Sequence, residues 1–409
     1  MTNKILIIIG ASTILLMLGA WIYLFVFGTP DSVGQALNNL SSPETPFEQP
    51  IVGSLDTTVA LGDKNLAQLT TRPVAGFVLI NTTSQPTVRY AEKGTGHVYE
   101  INLTNGTEER IDGTTSANTT EAYFNEEGTE AVLVSVDNQE RVVVWRTSVG
   151  SAGSTILPNN SYDFAWGSED SLRYTEKTSE GKVAYEASKD SRTELWRVPM
   201  ADLRVMFTAT TALLINNPAA NLAGSLYEIQ NNSLTTIVGP AYAFTATPDP
   251  AGQYVLYRYF DTEKQTTVAK VRDVYTNEET ISPLPAIPEK CVFSPVRLRV
   301  WCASSFMLLG TDRGYLNKWY RGEAISEDKI WVSDYENWGV ASIEVDLLEV
   351  AGFNIDVVDM TVSDDGTMLL FRNKINDALW MYRLSGNNET TEVEPVGNTG
   401  TTSATSDVF

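Results

Sequence analysis

The residue types that most often perform chemistry are scarce in this chain. It has two cysteines, Cys291 and Cys302, and one histidine, His97, among 409 residues. A histidine acts as a general base beside a nucleophile and an orienting carboxylate, and a zinc site of the common type needs several Cys or His ligands. We therefore expect no metal, no cofactor and no hydrolytic triad.

Acidic pairs suggest a second kind of chemistry. Asp364-Asp365, Glu126-Glu127 and Glu278-Glu279 could serve a glycosidase, whose carboxyl groups stand about 5–10 Å apart, or could bind Ca²⁺. All three pairs fall at predicted turns, where acidic side chains are simply solvated. No EF-hand or phosphate-loop spacing accompanies them. We therefore expect a protein that is not an enzyme and has no catalytic residues.

The densest unusual group of side chains lies between 315 and 338. Its aromatic members alternate with charged residues and are Tyr315, Trp319, Tyr320, Trp331, Tyr335 and Trp338. Large rigid rings with polar tips suit a protein or glycan contact when they are exposed. The alternative is that the rings only pack this insertion onto the fold. The group is the predicted partner-binding site.

The two cysteines lie on either side of a predicted turn at Val296-Arg297. In such a hairpin Cys291 and Cys302 would face each other, and an oxidising compartment would then permit a disulfide. A register shifted by one residue would make them diagonal neighbours and disfavour the bond. Both registers are compatible with the spacing.

The predicted transmembrane helix covers 5–27, a run of apolar residues without charge. It starts at Ile5, ends at Phe27, and has Trp21 and Tyr23 near its far end. At about 1.5 Å per residue it extends roughly 34 Å, enough to cross a bilayer. A cleaved signal peptide is the alternative, but the run is about twice the usual length of an apolar signal core and no A-x-A site follows it.

The flanking charges predict the orientation of this helix. Lys4 precedes it, and no Lys or Arg follows before Lys64. The positive-inside rule then places the tail 1–4 in the cytoplasm and the main domain outside the plasma membrane. The membrane is therefore a predicted partner through the N-terminal helix.

The formal net charge of the chain is −22, and 43% of its residues are hydrophobic. Such a surface repels nucleic acid and anionic headgroups and favours cations or basic partners. Solubility alone is the simpler explanation of the charge. The hydrophobic content is that of an ordinary globular domain.

The chain after the helix divides into three parts. Residues 28–73, rich in Ser, Thr, Pro and Asn, predict a flexible stalk, and 392–409 predict a disordered tail. Between them, 74–391 carries short apolar runs with a two-residue period, which indicates strands. The runs are Val78–Ile80, Val98–Ile101, Val132–Val134, Val142–Trp145, Val255–Tyr257, Leu369–Phe371 and Leu379–Tyr382.

One sequence motif, hereafter the repeated motif, recurs with a period of about forty residues. It consists of an aromatic or apolar residue, a polar turn and then an apolar strand. Its copies run from Tyr123 to Val134, Phe164 to Tyr174, Phe244 to Tyr257, Val292 to Trp301 and Met360 to Phe371. This period is the size of one four-stranded propeller blade.

Two copies carry a family resemblance. Phe293-Ser294-Pro295 and Ser363-Asp364-Asp365-Gly366 resemble the aromatic-Ser-Pro-Asp-Gly turn of TolB-like and WD40 β-propellers. The resemblance covers about 76–391 and implies the fold only, since the Trp-Asp dipeptide of WD40 repeats is missing from most copies. It predicts an all-β propeller of seven four-stranded blades, with six or eight as alternatives and an insertion near 291–346.

A propeller without a catalytic signature predicts a non-enzymatic scaffold or recognition module outside the membrane, in the cell envelope. Its expected partners are other envelope proteins, with a glycan as a further candidate. The alternative is an extracytoplasmic, carboxylate-dependent polysaccharide-active enzyme or a glycan-binding protein. The enzyme would require two acidic side chains from different blades to converge.

Overall fold

The computed structural model shows a nearly all-β chain. It describes residues 65–80, 85–151, 153–189, 191–230, 232–284, 286–295, 299–305, 312–334 and 340–384. The predicted helix over 5–27, with Ile5, Trp21, Tyr23 and Phe27, and the predicted tail 392–409 lie outside these ranges, as do Tyr335 and Trp338. Within the ranges, no helix is long and apolar enough to cross a membrane.

The strands form antiparallel sheets that follow one another along the chain. The first strand is β1 (Leu66–Gln68). Sheet 1 contains β2 (Val74–Ile80), β3 (Thr87–Glu92), β4 (Val98–Asn102) and β5 (Glu108–Asp112). Sheet 2 contains β6 (Thr119–Phe124), β7 (Glu130–Val136), β8 (Val142–Ser148) and β9 (Ser154–Leu157). Sheet 3 contains β10 (Ser161–Trp166), β11 (Leu172–Thr178), β12 (Gly181–Ala187) and β13 (Arg192–Val198).

The second half of the described chain continues this pattern. Sheet 4 has seven strands: β14 (Leu203–Phe207), β15 (Ala212–Asn216), β16 (Ala223–Gln230), β17 (Ser233–Pro248), β18 (Tyr254–Asp261), β19 (Thr266–Asp273) and β20 (Glu279–Ile281). Sheet 5 contains β21 (Cys291–Phe293), β22 (Arg299–Ser304), β23 (Lys329–Asp334) and β24 (Ser342–Asp346). Sheet 6 contains β25 (Val357–Val362), β26 (Met368–Asn373) and β27 (Leu379–Arg383), together with β1.

Short helices interrupt the described strands. They are α1 (Tyr315–Tyr320), α2 (Leu347–Ala351) and 3-10 helices at Ser168–Asp170 and Pro288–Lys290. Helix α1 lies in the long connection between β22 and β23, which confirms the predicted insertion. Trp331, which the sequence assigned to that insertion, belongs instead to β23.

The two-residue period predicts the strands correctly: all seven apolar runs lie inside strands, in β2, β4, β7, β8, β18, β26 and β27. The run Leu369–Phe371 in β26 is apolar at every position because this strand is buried on both faces. A strand between two packed layers has no solvent face and loses its alternation.

The turn before β26 shows which hydrogen bonds and backbone conformation form the polar turn of the repeated motif. The Ser363 hydroxyl oxygen accepts hydrogen bonds from the backbone N–H groups of Thr367 and Met368. Gly366 has φ of 68°, in the left-handed region that glycine adopts without a steric penalty. The polar turn residues therefore set the geometry with which the next strand begins.

Sheet 6 joins the two ends of the described chain. β1 pairs with β27, so that Leu66 lies opposite Tyr382, and Leu69 just after it is fully buried. The predicted stalk over 28–73 is therefore too long, because it includes a strand of the domain. A three-residue strand has no usable periodicity, and its partner lies more than three hundred residues away in sequence.

Apolar clusters lie between successive sheets and close them into a ring. Tyr90 and Met381 meet between sheets 6 and 1, and Val144 and Tyr174 meet between sheets 2 and 3. Further clusters join sheet 1 to 2, sheet 3 to 4, sheet 4 to 5 and sheet 5 to 6. Face-to-face packing of four-stranded sheets around a ring is the β-propeller architecture, as the sequence predicts.

Candidate functional site

The first strands of several sheets line two large cavities. Residues of β2, β6 and β25 line one cavity of 650 Å³, and residues of β6, β10 and β14 line another of 640 Å³. Both cavities include Glu121 and Tyr123 of β6. The two cavities therefore adjoin each other, and together they are called the channel below.

Irregular pairing directs acidic side chains at the channel. In β10 and in β25 the register shifts by one extra residue, so that two residues of the strand face a single residue of the partner strand. Asp163 and Asp359 occupy the same place in these two bulges, with φ of 54° and 50°. Aspartate tolerates this left-handed conformation better than most residues, and bulges commonly re-aim a side chain next to functional sites.

Three carboxylates from three sheets act on Tyr123. Its hydroxyl donates a hydrogen bond of 2.6 Å to Oε2 of Glu121. Burial raises the pKa of Tyr123 well above its ordinary value, and the negative charges of Glu121, Asp359 and Asp163 raise it further. The carboxyl groups of β6, β10 and β25 therefore converge on one part of the channel.

These carboxylates differ in how far the protein neutralises them. Asp163 is buried and accepts hydrogen bonds of 2.6 Å from both Lys182 and Thr175. Asp359 accepts a hydrogen bond of 2.7 Å from Nε of Arg372, but 55% of its side chain is exposed. Glu121 is also exposed, so two of the three are accessible from the channel.

The 650 Å³ cavity, hereafter the acidic cavity, has a charge excess. Its ionisable members are Glu121, Glu126, Asp359, Asp364 and Arg372. Four carboxylates thus stand against one guanidinium, which itself contacts Asp359 and Asp377. Such a site attracts a cation, because the low-dielectric walls of a cavity concentrate the field of like charges.

Apolar groups complete the acidic cavity. Its uncharged lining includes Phe77, Val78, Leu79, Met360 and Val362. The combination of an aromatic ring, aliphatic walls and several carboxylates matches the chemistry of a lysine or arginine side chain, which has an apolar stem and a charged head.

Helix α1 lies at the opposite end of the channel. The Tyr320 hydroxyl donates to Glu289, which also accepts from Arg204 of β14 at 2.8 Å and from Thr245 of β17. Trp319 of α1 donates to Asp356, just before β25, at 3.1 Å. The helix therefore contacts Glu289 and Asp356, which lie just before β21 and β25, whereas Glu126 and Asp364 lie in the turns after β6 and β25.

A buried ion cluster holds this end together. Nζ of Lys290 lies 2.5 Å from Asp328 and 2.8 Å from Asp356, and all three side chains are almost fully buried. Burial lowers the pKa of Lys290, but the two carboxylates raise it by more, so the net shift is upward. Burial raises the pKa of Asp328.

The predicted aromatic site does not form an exposed patch among its described members. Tyr315 and Trp319 are buried against Phe260 and Ile287, so the packing alternative applies to these two rings. Tyr320 is 38% exposed, and Trp331 is half-buried and lies opposite Cys302. The rings pack because α1 covers Ala243 in the second half of β17 and Ile287 before β21, which its sequence does not reveal.

The cysteines lie directly opposite each other in β21 and β22, in the first of the two predicted registers. Their sulfur atoms form a disulfide. His97 lies away from the channel, where its Nε2 is 3.0 Å from the Thr115 hydroxyl. Among the described residues, no three His, Cys, Asp or Glu side chains are grouped closely enough to hold a metal ion.

Two of the three acidic pairs predicted from the sequence contribute a residue to the acidic cavity. These residues are Glu126 and Asp364. Glu279 instead forms ion pairs with Lys270 and Arg272. The sequence analysis missed Glu121, Asp163 and Asp359. The sequence feature that could have identified them is an acidic residue inside the first strand of a repeat. In a chain with so many acidic residues this feature is a weak indicator.

No protein-family model and no curated protein matches this chain, but solved structures do. An oligogalacturonate lyase in complex with manganese has a TM-score of 0.55 at 11% identity, covering 78% of this chain and 93% of the lyase. An oligogalacturonate lyase from Vibrio parahaemolyticus has 0.54 at 10%, covering 78% and 93%. A chain of the Mitotic Checkpoint Complex has 0.52 at 10%, covering 82% and 97%. At these identities the likeness shows the propeller fold alone.

Proposed function

We propose that this protein is a non-enzymatic recognition module of the cell envelope whose acidic cavity binds a basic segment of a partner protein. The observation that carries the proposal is the lining of that cavity, with four carboxylates against one guanidinium. The net charge of −22 adds a long-range field that raises the association rate of a basic partner.

The cavity also offers both of the surfaces that a lysine or arginine side chain needs, apolar walls and carboxylates. The stem of such a side chain packs against Val78, Met360 and Val362, and its head reaches Glu121 or Asp364. Exposed carboxylate–cation pairs contribute about 0.2–1 kcal/mol each. Several of them, together with apolar contact, are required for useful affinity.

The test measures binding of acetylated tetralysine and tetraarginine peptides to the full chain by titration calorimetry. The variant E121Q/D364N removes two negative charges from the cavity, and glutamine at 121 still accepts from Tyr123. We expect its affinity to fall about five- to thirtyfold, the equivalent of about 1–2 kcal/mol for two lost pairs. Binding to the native chain should also weaken as salt rises.

The matched control is E263Q/E349Q, which removes the same charge at two exposed positions outside the cavity. We expect this variant to bind as the native chain does. Equal losses in both variants would mean that only net charge acts, and would contradict a specific site. Absence of binding to either peptide would contradict it as well.

We also propose that the ring has seven blades. The first half of β17 pairs with β16 and its second half with β18. Apolar side chains of β15 and β16 pack face to face on those of β17 and β18, with Leu226 and Phe244 among them. Sheet 4 would then be two four-stranded blades that share β17, beside the five four-stranded sheets.

The envelope location rests on the sequence. The apolar run over 5–27 and the lysine before it support a single-pass anchor with the domain outside. Alkaline carbonate extraction should leave the full chain in the membrane fraction, and external protease should digest the domain in intact cells. Extraction into the soluble fraction would contradict the anchor.

The convergence of carboxylates also favours a second candidate, a polysaccharide-active enzyme, since it requires acidic groups from different blades near one another. Glu121 would be one of them. New reducing ends after incubation with a panel of polysaccharides, lost in E121Q, would support this function. No product from any substrate would leave the recognition module as the better account.

A further inference from the structure

A second cavity lies between sheets 1 and 2, outside the channel. It has a volume of 360 Å³ and shares no lining residue with the acidic cavity. The side chains that matter here are Asp112, Thr114, Ser116, Leu133, Asn138 and Trp145, and these define the inter-sheet groove. The volume is near the lower end of the range found for small-ligand sites.

The groove exists because the interface between these two sheets is built from small side chains. Its buried core contains Ala75, Ala91, Ala122 and Ala131, with Leu133 as the one large member. The interface between sheets 6 and 1 instead contains two tyrosines and two methionines. Packed sheets stand about 10 Å apart, and alanine is too short to fill that distance.

One wall of the groove is apolar. Leu133, Trp145 and Ile156 lie opposite one another on β7, β8 and β9, and so share one face of sheet 2. Trp145 is half-buried, and Ile156 is 61% exposed. Leu133 and Trp145 line the groove, and Ile156 continues the same face of the sheet just beyond the lining.

The other wall is polar and includes two carboxylates that already have partners in the protein. The oxygens of Asp112 accept from the backbone N–H groups of Thr114 and Gly150, at 2.8 and 2.9 Å. Asp137, at the rim, pairs with Arg141 at 2.7 Å. Burial opposes ionisation of Asp112, but its hydrogen bonds outweigh burial and lower its pKa.

The remaining polar groups of the groove are neutral. They are the hydroxyls of Thr114, Thr115, Ser116, Ser135, Thr147 and Ser154 and the amides of Asn118 and Asn138. The buried Oγ of Ser116 has no hydrogen-bond partner among the described residues. Buried polar atoms usually have a partner, so this hydroxyl is available to a ligand or to a water that a ligand contacts.

We propose that the inter-sheet groove binds a neutral saccharide of one or two rings. An indole face next to neutral donors and acceptors is complementary to a sugar ring, which has an apolar C–H face and a rim of hydroxyls. Asp137 is paired with Arg141, and the oxygens of Asp112 already accept two backbone N–H groups. This site is independent of the acidic cavity and of the partner that the cavity binds.

The test titrates the full chain by calorimetry with cellobiose, maltose and N,N′-diacetylchitobiose, and with digalacturonate and the unacetylated glucosamine disaccharide as charged counterparts. We expect saturable 1:1 binding of at least one neutral disaccharide and weaker or no binding of the charged ones. Trp145→Ala should weaken that binding at least tenfold. E121Q/D364N should leave it unchanged.

Because Trp145 also packs on the core between the sheets, a second variant protects the test from misfolding. Asn138→Ala alters an exposed groove residue and should weaken binding at least threefold. Trp331→Phe, at a half-buried tryptophan of sheet 5, is the matched control and should bind as the native chain. The proposal is overturned if no neutral disaccharide binds, if a charged one binds best, or if Asn138→Ala and a folded Trp145→Ala both bind normally.

Discussion

Asp163 and Asp359 show how much a single backbone conformation decides at the residue scale. Both lie in β-bulges with positive φ, and both carboxyl groups reach the channel near Tyr123. One is buried against Lys182, and the other stays largely exposed. The same residue in the same local geometry is therefore structural in one sheet and accessible to a ligand in another, because the neighbouring side chains differ.

Tyr123→Phe tests the electrostatics of the channel. Burial and three carboxylates raise the pKa of Tyr123, so above about pH 10 the unfolded chain loses a proton that the folded chain keeps. This tyrosine therefore stabilises the fold fully below that pH, and its contribution falls as pH rises. Between pH 9 and 11 the unfolding free energy of the native chain should fall, and that of the variant should fall by a smaller amount. We expect the difference to reach up to about 1.4 kcal/mol, measured by urea denaturation.

The matched control for this substitution is Tyr275→Phe, at an exposed tyrosine that is 63% accessible. It should show the same alkaline loss as the native chain. An identical pH dependence in Tyr123→Phe and the native chain would contradict the convergence of carboxylates on Tyr123.

At the scale of elements, the inner strands and helix α1 have different roles at the channel. The strands bring carboxylates together at one end, whereas α1 covers the other end through Trp319 and Tyr320. The cluster of Lys290, Asp328 and Asp356 fixes the connection before β21 to the segments before β23 and β25. Two carboxylates around one buried lysine make this connection sensitive to the loss of the cation.

Lys290→Met tests that sensitivity. The change leaves two buried carboxylates without a cation, and breaking a buried ion pair in this way typically costs about 3–5 kcal/mol. We expect a loss of that size in the unfolding free energy from guanidinium denaturation. Lys270→Met, in a half-exposed pair with Glu279, is the control and should cost at most about 1 kcal/mol. Similar small losses in both variants would contradict the role of the cluster.

At the scale of the whole molecule, closure of the ring depends on its first strand. β1 completes sheet 6 by pairing with β27, and the Thr70 hydroxyl accepts a hydrogen bond from Leu379 at 3.0 Å. Leu69 inserts into the core between sheets 6 and 1. The segment that leads from the predicted anchor into the domain is therefore also the segment that closes the ring.

Leu69→Ala tests the closure. The side chain is fully buried, and truncation of a buried leucine costs about 2–5 kcal/mol. We expect a corresponding fall in unfolding free energy, and limited proteolysis should first cut the chain before residue 74. Leu348→Ala, at a leucine that is 42% exposed on α2, should cost no more than about 0.5 kcal/mol. A loss this small in Leu69→Ala would show that closure contributes little.

Local sequence patterns are enough to predict most of the strands and the propeller architecture. Strand alternation, apolar runs and Asp-Gly turns such as the one at Asp365-Gly366 act over a few residues, and their repetition every forty residues reveals the sheet unit. The spacing of Cys291 and Cys302 likewise allowed the register in which they are found opposite each other. The net charge was compatible with a basic partner, although solubility alone explained it more simply.

The tertiary structure alone decided which side chains meet. The acidic cavity combines residues from β2, β6 and β25, and the first and last of these strands are almost three hundred residues apart. The sequence could not tell whether the rings of Tyr315 and Trp319 are exposed or buried, because burial depends on what α1 covers. Nor could it reveal β1, whose partner strand lies at the far end of the domain. Short-range sequence patterns specify strands and turns. The acidic cavity and the pairing of β1 with β27 depend instead on contacts between residues far apart in sequence, which form only when the sheets pack into a ring.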